Sequence, residues 1–239
     1  MNLSKSILIT GSSKNLGKYL ANYYSKKNFN VIGVSKTKKK NLKKNNFICD
    51  LGNEKKTNLF FKKLKKKFNK IDTIISCAGF SKRTYRKNET SKDWVNAFNN
   101  NFFCFVNLLN AYSNYYKKKP TKIIIISSIV SDKITQAPIT YSVAKSALNY
   151  YGQIKAKELA KFNIKINILM PGNILMKNNN WKKKIDKNKE KVMNYIKLNV
   201  PLNQFCQPLQ IAEICDYLIG KSGDNITGSK FVIDGGESL

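Results

Sequence analysis

Residues 6–20 read SILITGSSKNLGKYL, and the reading of this stretch decides the fold. A short, β-branched apolar run, Ser6–Thr10, passes at once into a turn carrying Gly11 and Gly17, and a segment of helical period begins at Asn15. Strand, glycine turn and helix in that order make the first part of a βαβ unit. Glycines at such a turn let the backbone approach a pyrophosphate, and amides at the helix N-terminus stabilise its charge. Gly11, Ser13, Lys14, Asn15, Leu16 and Gly17 are therefore candidate contacts to a nucleotide. An ordinary strand-to-helix turn has the same look, so the rest of the chain decides between them.

The alternation continues outward from this stretch. Residues 30–35, 47–50, 72–76, 122–127, 165–170 and 230–234 are short, nearly continuous apolar runs, as expected of parallel strands covered on both faces. Between them, residues 15–27, 54–68, 92–116, 140–162 and 209–220 have helical period. Repeated strand–helix units imply right-handed crossovers and a doubly wound parallel sheet of about seven strands. No linker, repeat or shift in composition divides the 239 residues, so one Rossmann-type domain is expected over 1–239.

Composition removes several chemistries. The chain has no histidine, which excludes Ser-His-Asp triads, Cys-His dyads and most zinc sites. Proton transfer must then fall to Tyr, Lys, Asp, Glu or Cys. Five cysteines, none in a CxxC, read as reduced thiols of a cytoplasmic protein. No run approaches the ~20 apolar residues of a membrane span, and the N-terminus lacks a signal-peptide pattern. The formal charge of +30 comes almost wholly from lysine, since Arg83 and Arg86 are the only arginines. Lysine runs at 36–44, 62–67, 117–119 and 182–191 are spread through the chain and read as solvated surface. A specific nucleic-acid site would favour the arginine fork, and none is expected.

Tyr141 and Lys145 are four apart at the start of a predicted helix, on one face. A nearby ammonium favours the phenolate and brings a tyrosine toward the working range of an acid–base catalyst. The same spacing occurs at Tyr23/Lys27, Tyr115/Lys119, Tyr151/Lys155 and Tyr217/Lys221, as so lysine-rich a chain allows. Context selects Tyr141, which follows by 13 residues the hydroxyl of Ser128, just past the interior strand KIIIIS. Ligands of open α/β sheets bind at that edge.

With these motifs in place, the chain resembles the short-chain dehydrogenase/reductase family almost end to end. TGSSKNLG stands where the family has its TGxxxGxG loop, and Asp50 in CDL matches the acidic residue near the adenine. Ile75–Gly79 (ISCAG) stands for the family's NNAG, and Asn101 for its helix asparagine. Ser128, Tyr141 and Lys145 match the remaining catalytic positions; Pro171-Gly172 and ITGSKFVIDGG match the C-terminal motifs. The resemblance is to 3-oxoacyl-carrier-protein reductases and similar ketoreductases, because enoyl reductases have a longer Tyr-to-Lys gap. Three departures stand out. Asn15 replaces the middle glycine, Ser76-Cys77 the paired asparagines, and no threonine follows Pro171-Gly172 in Asn173–Met176.

The resemblance implies an NAD(P)-dependent oxidoreductase that reduces a ketone on a small or carrier-bound substrate. Tyr141 would donate the proton, Ser128 would hydrogen-bond the carbonyl oxygen, and Lys145 would bind the nicotinamide ribose and lower the Tyr141 pKa. Asn101 would hold a water linking Lys145 to solvent. Further cofactor contacts are implied at Ser35, Lys36, Asp50, Leu51, Cys77, Ala78, Gly79, Pro171, Gly172 and Ile174. The second strand ends Val34-Ser35-Lys36 without a carboxylate, and Lys14 and Lys36 suit a 2′-phosphate. NADP(H) is thus favoured, with NAD(H) the alternative. A substrate lid is expected at about 173–200, where Trp181, Ile185, Val192, Met193 and Ile196 make one apolar stripe packed on the domain, the alternative being that Lys182–Lys184 attract an anionic substrate. A homodimer or homotetramer is expected through the 92–116 and 140–162 helices. The competing readings are a sugar-modifying enzyme of a surface-polysaccharide pathway and a dinucleotide-binding subunit without turnover.

Overall fold

The computed structural model describes residues 5–37, 45–81, 88–177 and 179–239. Arg83, Arg86, Asn178 and most of the 36–44 lysine run lie outside the described residues. Seven strands, β1 (Ser6–Thr10), β2 (Asn30–Ser35), β3 (Asn46–Ile48), β4 (Thr73–Ser76), β5 (Thr121–Ile126), β6 (Ile164–Pro171) and β7 (Lys230–Ile233), form one sheet. The order is β3-β2-β1-β4-β5-β6-β7 and every pairing is parallel. From β1 the chain moves outward to β3, then returns to place β4 on the other side of β1. The connections on either side of β1 therefore diverge, opening a crevice beyond the carboxyl ends of β1 and β4.

The isoleucine run of β5 shows why these strands look continuously apolar. Ile123 and Ile125 enter a core with α2 (Glu54–Lys67), α4 (Cys104–Tyr116) and α5 (Ile139–Leu159). Ile124 and Ile126 enter a second core with α1 (Asn15–Lys26) and α8 (Pro208–Ile219). Alternation sends neighbours to opposite faces, and both faces are covered. Each fully buried side chain of this size stabilises the fold by about 1.5–3 kcal/mol.

Two expected helices are divided. The segment expected as one helix over 92–116 is α3 (Ser91–Phe98), a π-helical turn at Asn99–Phe103, and α4. The buried Asn101 carboxamide causes the interruption, donating to the Ala97 carbonyl one turn back while gripping the backbone of Phe80. A π-turn is a common device where a helix must present a functional group. The expected lid is α6 (Asn180–Lys187) and α7 (Lys189–Asn199). Asn188 is extended and caps α7 by accepting from the Lys191 amide, which rephases the apolar stripe. Val192 and Ile196 are buried with Val200 and Phe205, and Trp181 and Ile185 pack against them, whereas Met193 is 43% exposed and falls outside.

All five cysteines are free thiols. Among the described residues no helix is long and apolar enough to cross a membrane, and no cluster of metal-ligating side chains occurs.

Phe61 is fully buried on α2, edge-on to Phe60 and Tyr116. Phe61→Ala is expected to destabilise the protein by about 3–5 kcal/mol, lowering the melting temperature by roughly 10 °C. An unchanged thermal melt would show that α2 does not anchor this face.

Candidate active site

The crevice is built around a buried hydroxyl. Thr10, at the end of β1, accepts from the amides of both Cys77 (3.0 Å) and Ala78 (2.8 Å), just past β4. That pair of bonds fixes the glycine turn against the segment Cys77-Ala78-Gly79. Gly11 has φ +67°, and a Cβ there would lie 3.0 Å from the Cys77 carbonyl oxygen. At Gly17 a Cβ would lie 2.4 Å from the Gly11 oxygen, so only glycine lets α1 start this close to β1. Asn15 adopts φ +47°, a left-handed conformation asparagine tolerates, which accounts for its standing in a glycine position. No side chain caps α1 and its first turn holds no acid, which suits the helix start to an anion.

Beyond this turn the crevice has a volume of about 450 Å³ and is lined by Gly11, Ser13, Lys14, Asn15, Leu16, Gly17, Ser35, Lys36, Asp50, Leu51, Cys77, Ala78 and Gly79. These are the predicted cofactor contacts of the β1, β2, β3 and β4 ends. The Lys36 ammonium forms a 2.8 Å ion pair with Asp50, whose other oxygen accepts from the Gly52 amide. Leu51 is held by donors from Thr57 and Asn107 to its carbonyl. Across the mouth, the Lys14 ammonium lies 5.5 Å from the centroid of the half-exposed Phe80 ring. Phe80, Thr37, Asn100 and Cys104 also line the crevice. No motif marks them; they are brought there by the π-turn and by the loops after β2 and β4. The crevice thus has the shape, amide-rich turn and cationic mouth that a dinucleotide requires.

Tyr141 and Lys145 lie one turn apart on α5, facing the end of β5. The Tyr141 phenol lies beside the hydroxyl of Ser128, which caps the short helical turn Ile129–Ser131 and accepts from the Val130 amide. Lys145 is 3% exposed and donates to the Ile126 carbonyl at 2.9 Å. Gly79 separates it from Asn101: a Cβ on Gly79 would lie 3.0 Å from Asn101 Oδ1 and 3.4 Å from Lys145 Nζ. Asn101 Oδ1 accepts from the Phe80 amide, and Nδ2 donates to the Phe80 and Ala97 carbonyls. Ser128, Tyr141, Lys145 and Asn101 therefore surround the end of β5, next to the crevice.

Burial pushes the Tyr141 phenol up to about 12, outweighing the Ser128 hydroxyl beside it, so the net shift is upward despite the Lys145 ammonium one turn away. The ammonium turns toward Ile126, stands 5.8 Å from the tyrosine ring centroid, and is itself pushed toward the neutral form by burial. The Asn101 carboxamide is engaged with the backbone, Nδ2 donating to two carbonyls and Oδ1 accepting from the Phe80 amide. Cys77 and Cys104 are pushed up to about 12 and about 11 by burial and remain neutral thiols.

Tyr141, Lys145, Pro171, Gly172 and Ile174 do not line the crevice itself. Pro171 ends β6, the Gly172 amide donates to Ile233 of β7, and Ile174 bridges to Cys206.

Comparison with known proteins agrees with this geometry. The family model described as enoyl-(acyl carrier protein) reductase matches residues 17–238. A 3-oxoacyl-[acyl-carrier-protein] reductase FabG of Buchnera aphidicola subsp. Schizaphis graminum is 31% identical over 251 residues, covering 97% of this chain and 96% of the relative. Among solved structures, a 4-hydroxyisoleucine dehydrogenase complexed with NADH superposes with a TM-score of 0.86 at 25% identity, covering 98% of this chain and 99% of its own. ElxO with NADP bound gives 0.87 at 25% identity, with coverage of 98% and 99%. The model's description names an enoyl reductase, whereas this relative is a ketoreductase. The chain belongs to the short-chain dehydrogenase/reductase family and is an NAD(P)-dependent oxidoreductase.

Proposed function

We propose that this enzyme reduces the ketone of a 3-oxoacyl thioester or a similar carbonyl compound to a secondary alcohol, with NADPH as the donor. The observation that carries the reading is the pair of hydroxyls, Ser128 and Tyr141, brought beside each other at the end of β5 next to the crevice. A carbonyl oxygen placed between them accepts two hydrogen bonds, and both strengthen as the oxygen gains negative charge. Reduced nicotinamide supplies the hydride when bound. Tyr141 gives its proton to the forming alkoxide, and Ser128 holds that oxygen in line. The buried ammonium of Lys145 supplies positive charge behind Tyr141. Asn101 fixes the Phe80 backbone and the π-turn that together wall this region. The FabG relative, and not the charge of the chain, supports a carrier-bound thioester. The helices α6 and α7, with a small core of their own, act as the lid over that substrate.

A preference for NADPH is supported by Lys14 and Lys36 at the crevice mouth, and by Ser35 where β2 ends without a carboxylate. Val95, Phe103, Val143, Tyr150 and Ile154 leave apolar surface exposed along α3, the π-turn and α5, which supports assembly through this face.

Turnover of a 3-oxobutyryl pantetheine thioester, followed by consumption of reduced nicotinamide, tests the reaction. Tyr141→Phe is expected to fold normally and lose at least about 100-fold in kcat; undiminished turnover would falsify the assignment. The phenol is the acid in reduction and persists below about pH 12. Reduction kcat/KM should therefore show no alkaline loss from Tyr141 near neutrality, whereas alcohol oxidation, which needs the phenolate, should rise with pH.

Lys36→Ser is expected to weaken NADPH binding about 10-fold, the scale of one charge-assisted hydrogen bond, and to leave NADH nearly unaffected. Nucleotide titration by fluorescence checks both.

In sedimentation the protein is expected to run as a dimer or tetramer, and Tyr150→Lys with Ile154→Lys should shift it to monomer. A wild-type monomer at micromolar concentration would contradict the interface.

A further inference from the structure

We propose that Ser131 and Asn149 are positioning residues, a clasp between the turn after β5 and helix α5 that holds the Ser128 hydroxyl in register with Tyr141. This inference rests on the catalytic reading above. Ser128 sits on a short turn at a strand end, where nothing in the sheet fixes its side chain. Its carbonyl is gripped twice by Ser131, through the amide at 3.2 Å and the hydroxyl at 2.7 Å. The Ser131 hydroxyl in turn accepts from Asn149 Nδ2 at 2.7 Å, and the Ser131 carbonyl accepts from the Ser146 hydroxyl.

Asn149 follows Tyr141 and Lys145 at the next four-residue step, so all three occupy one stripe of α5. Tyr141 meets the Ser128 side chain, Lys145 meets Ile126, and Asn149 meets Ser131. One rigid helix thus contacts the strand end and its turn at three successive places. Any slide of α5 along β5 that moves Tyr141 must also break the Ser131–Asn149 bond.

Asn149 looks out of place on stability alone. It is 3% exposed, its Nδ2 also faces Met170 Sδ and Asp132 Oδ1 at 3.5 Å, and its Oδ1 is buried without a hydrogen-bond partner. A buried acceptor left unsatisfied is unfavourable, and an aliphatic side chain of similar volume would remove that penalty. The carboxamide is explained by what its other end holds.

The test compares stability with turnover in Asn149→Leu, Ser131→Ala and Ser131→Thr, using NADPH and the 3-oxobutyryl thioester. Asn149→Leu and Ser131→Ala are expected to lose about 10-fold in kcat, since sub-ångström misplacement of a reacting group is costly. KM and NADPH affinity should stay within about two-fold, and Asn149→Leu should melt at the same or a higher temperature. Ser131→Thr, which keeps the hydroxyl, should restore most of the rate. In a Ser128→Ala background the same changes should have almost no further effect, because the group they position is gone. Wild-type kcat in Asn149→Leu beside a crippled Ser128→Ala would overturn the clasp alone. Equal losses in both backgrounds, or losses that track melting temperature, would also overturn it. Full turnover in Ser128→Ala itself would remove the catalytic reading, and the clasp with it.

Discussion

The buried ammonium of Lys145 is the constraint around which the site is arranged. It is 3% exposed, and among the described residues no carboxylate pairs with it. A lone buried charge is unfavourable, and burial accordingly favours its neutral form. What stabilises it is geometry: the Ile126 carbonyl accepts from it, and the helix that carries it is locked on the sheet. The β5 strand stops where the lysine needs an acceptor. Ser128 is then two residues further on and Tyr141 one turn back along α5, so the two hydroxyls are brought beside each other by where the lysine is anchored.

Such closeness requires missing side chains. At Gly79 a Cβ would press on both Asn101 and Lys145, and at Gly152 it would lie 2.7 Å from Ile125 Cδ1. The first glycine opens the space between the lysine and the π-turn, and the second lets α5 lie flat against β5. An added methyl would meet the side-chain ends of Asn101 and Lys145 at the first place and of Ile125 at the second, and these would have to give way. The geometry around Tyr141 and core packing are therefore linked, and dense interiors transmit such displacements.

Much of this was legible in the residues. The two-sided burial of Ile123–Ile126 appears as an unbroken apolar run, and the strand–helix alternation yields seven parallel strands in one sheet. Asn101, Ser128, Tyr141 and Lys145 converge from three elements spread over 44 residues of sequence. The failures have local causes. The π-turn was hidden because 92–116 keeps its helical period while one carboxamide diverts a carbonyl. The apolar stripe expected over residues 181–196 is broken in phase because Asn188 ends one helix and caps the next, a role indistinguishable by composition from the asparagines around it. Spacing along a helix says nothing of solvent, so the upward shift of Tyr141, in which burial outweighs the Ser128 hydroxyl beside it, has no sign in the sequence.

The large positive charge fixes little of this. With 44 basic and 14 acidic residues, what distinguishes one place from another is where the acids are. Several tie elements together: Asp72 accepts from the Ser6 amide, Asp132 pairs with Lys230, and Asp216 binds both Lys27 and Tyr23. Glu237 accepts from Asn173 with both oxygens and from Tyr195, binding the segment after β6 and helix α7 to the C-terminal loop. Burial raises its pKa, against the opposing hydrogen bonds from Tyr195 and Asn173. The field of the remaining lysines draws in any anion and is screened within about 8–10 Å at physiological salt. It cannot distinguish one dinucleotide from another. That discrimination must fall to contacts at the crevice mouth, where Lys36 already has a partner in Asp50. An incoming 2′-phosphate must outcompete that carboxylate, whereas a ribose hydroxyl has little with which to displace it.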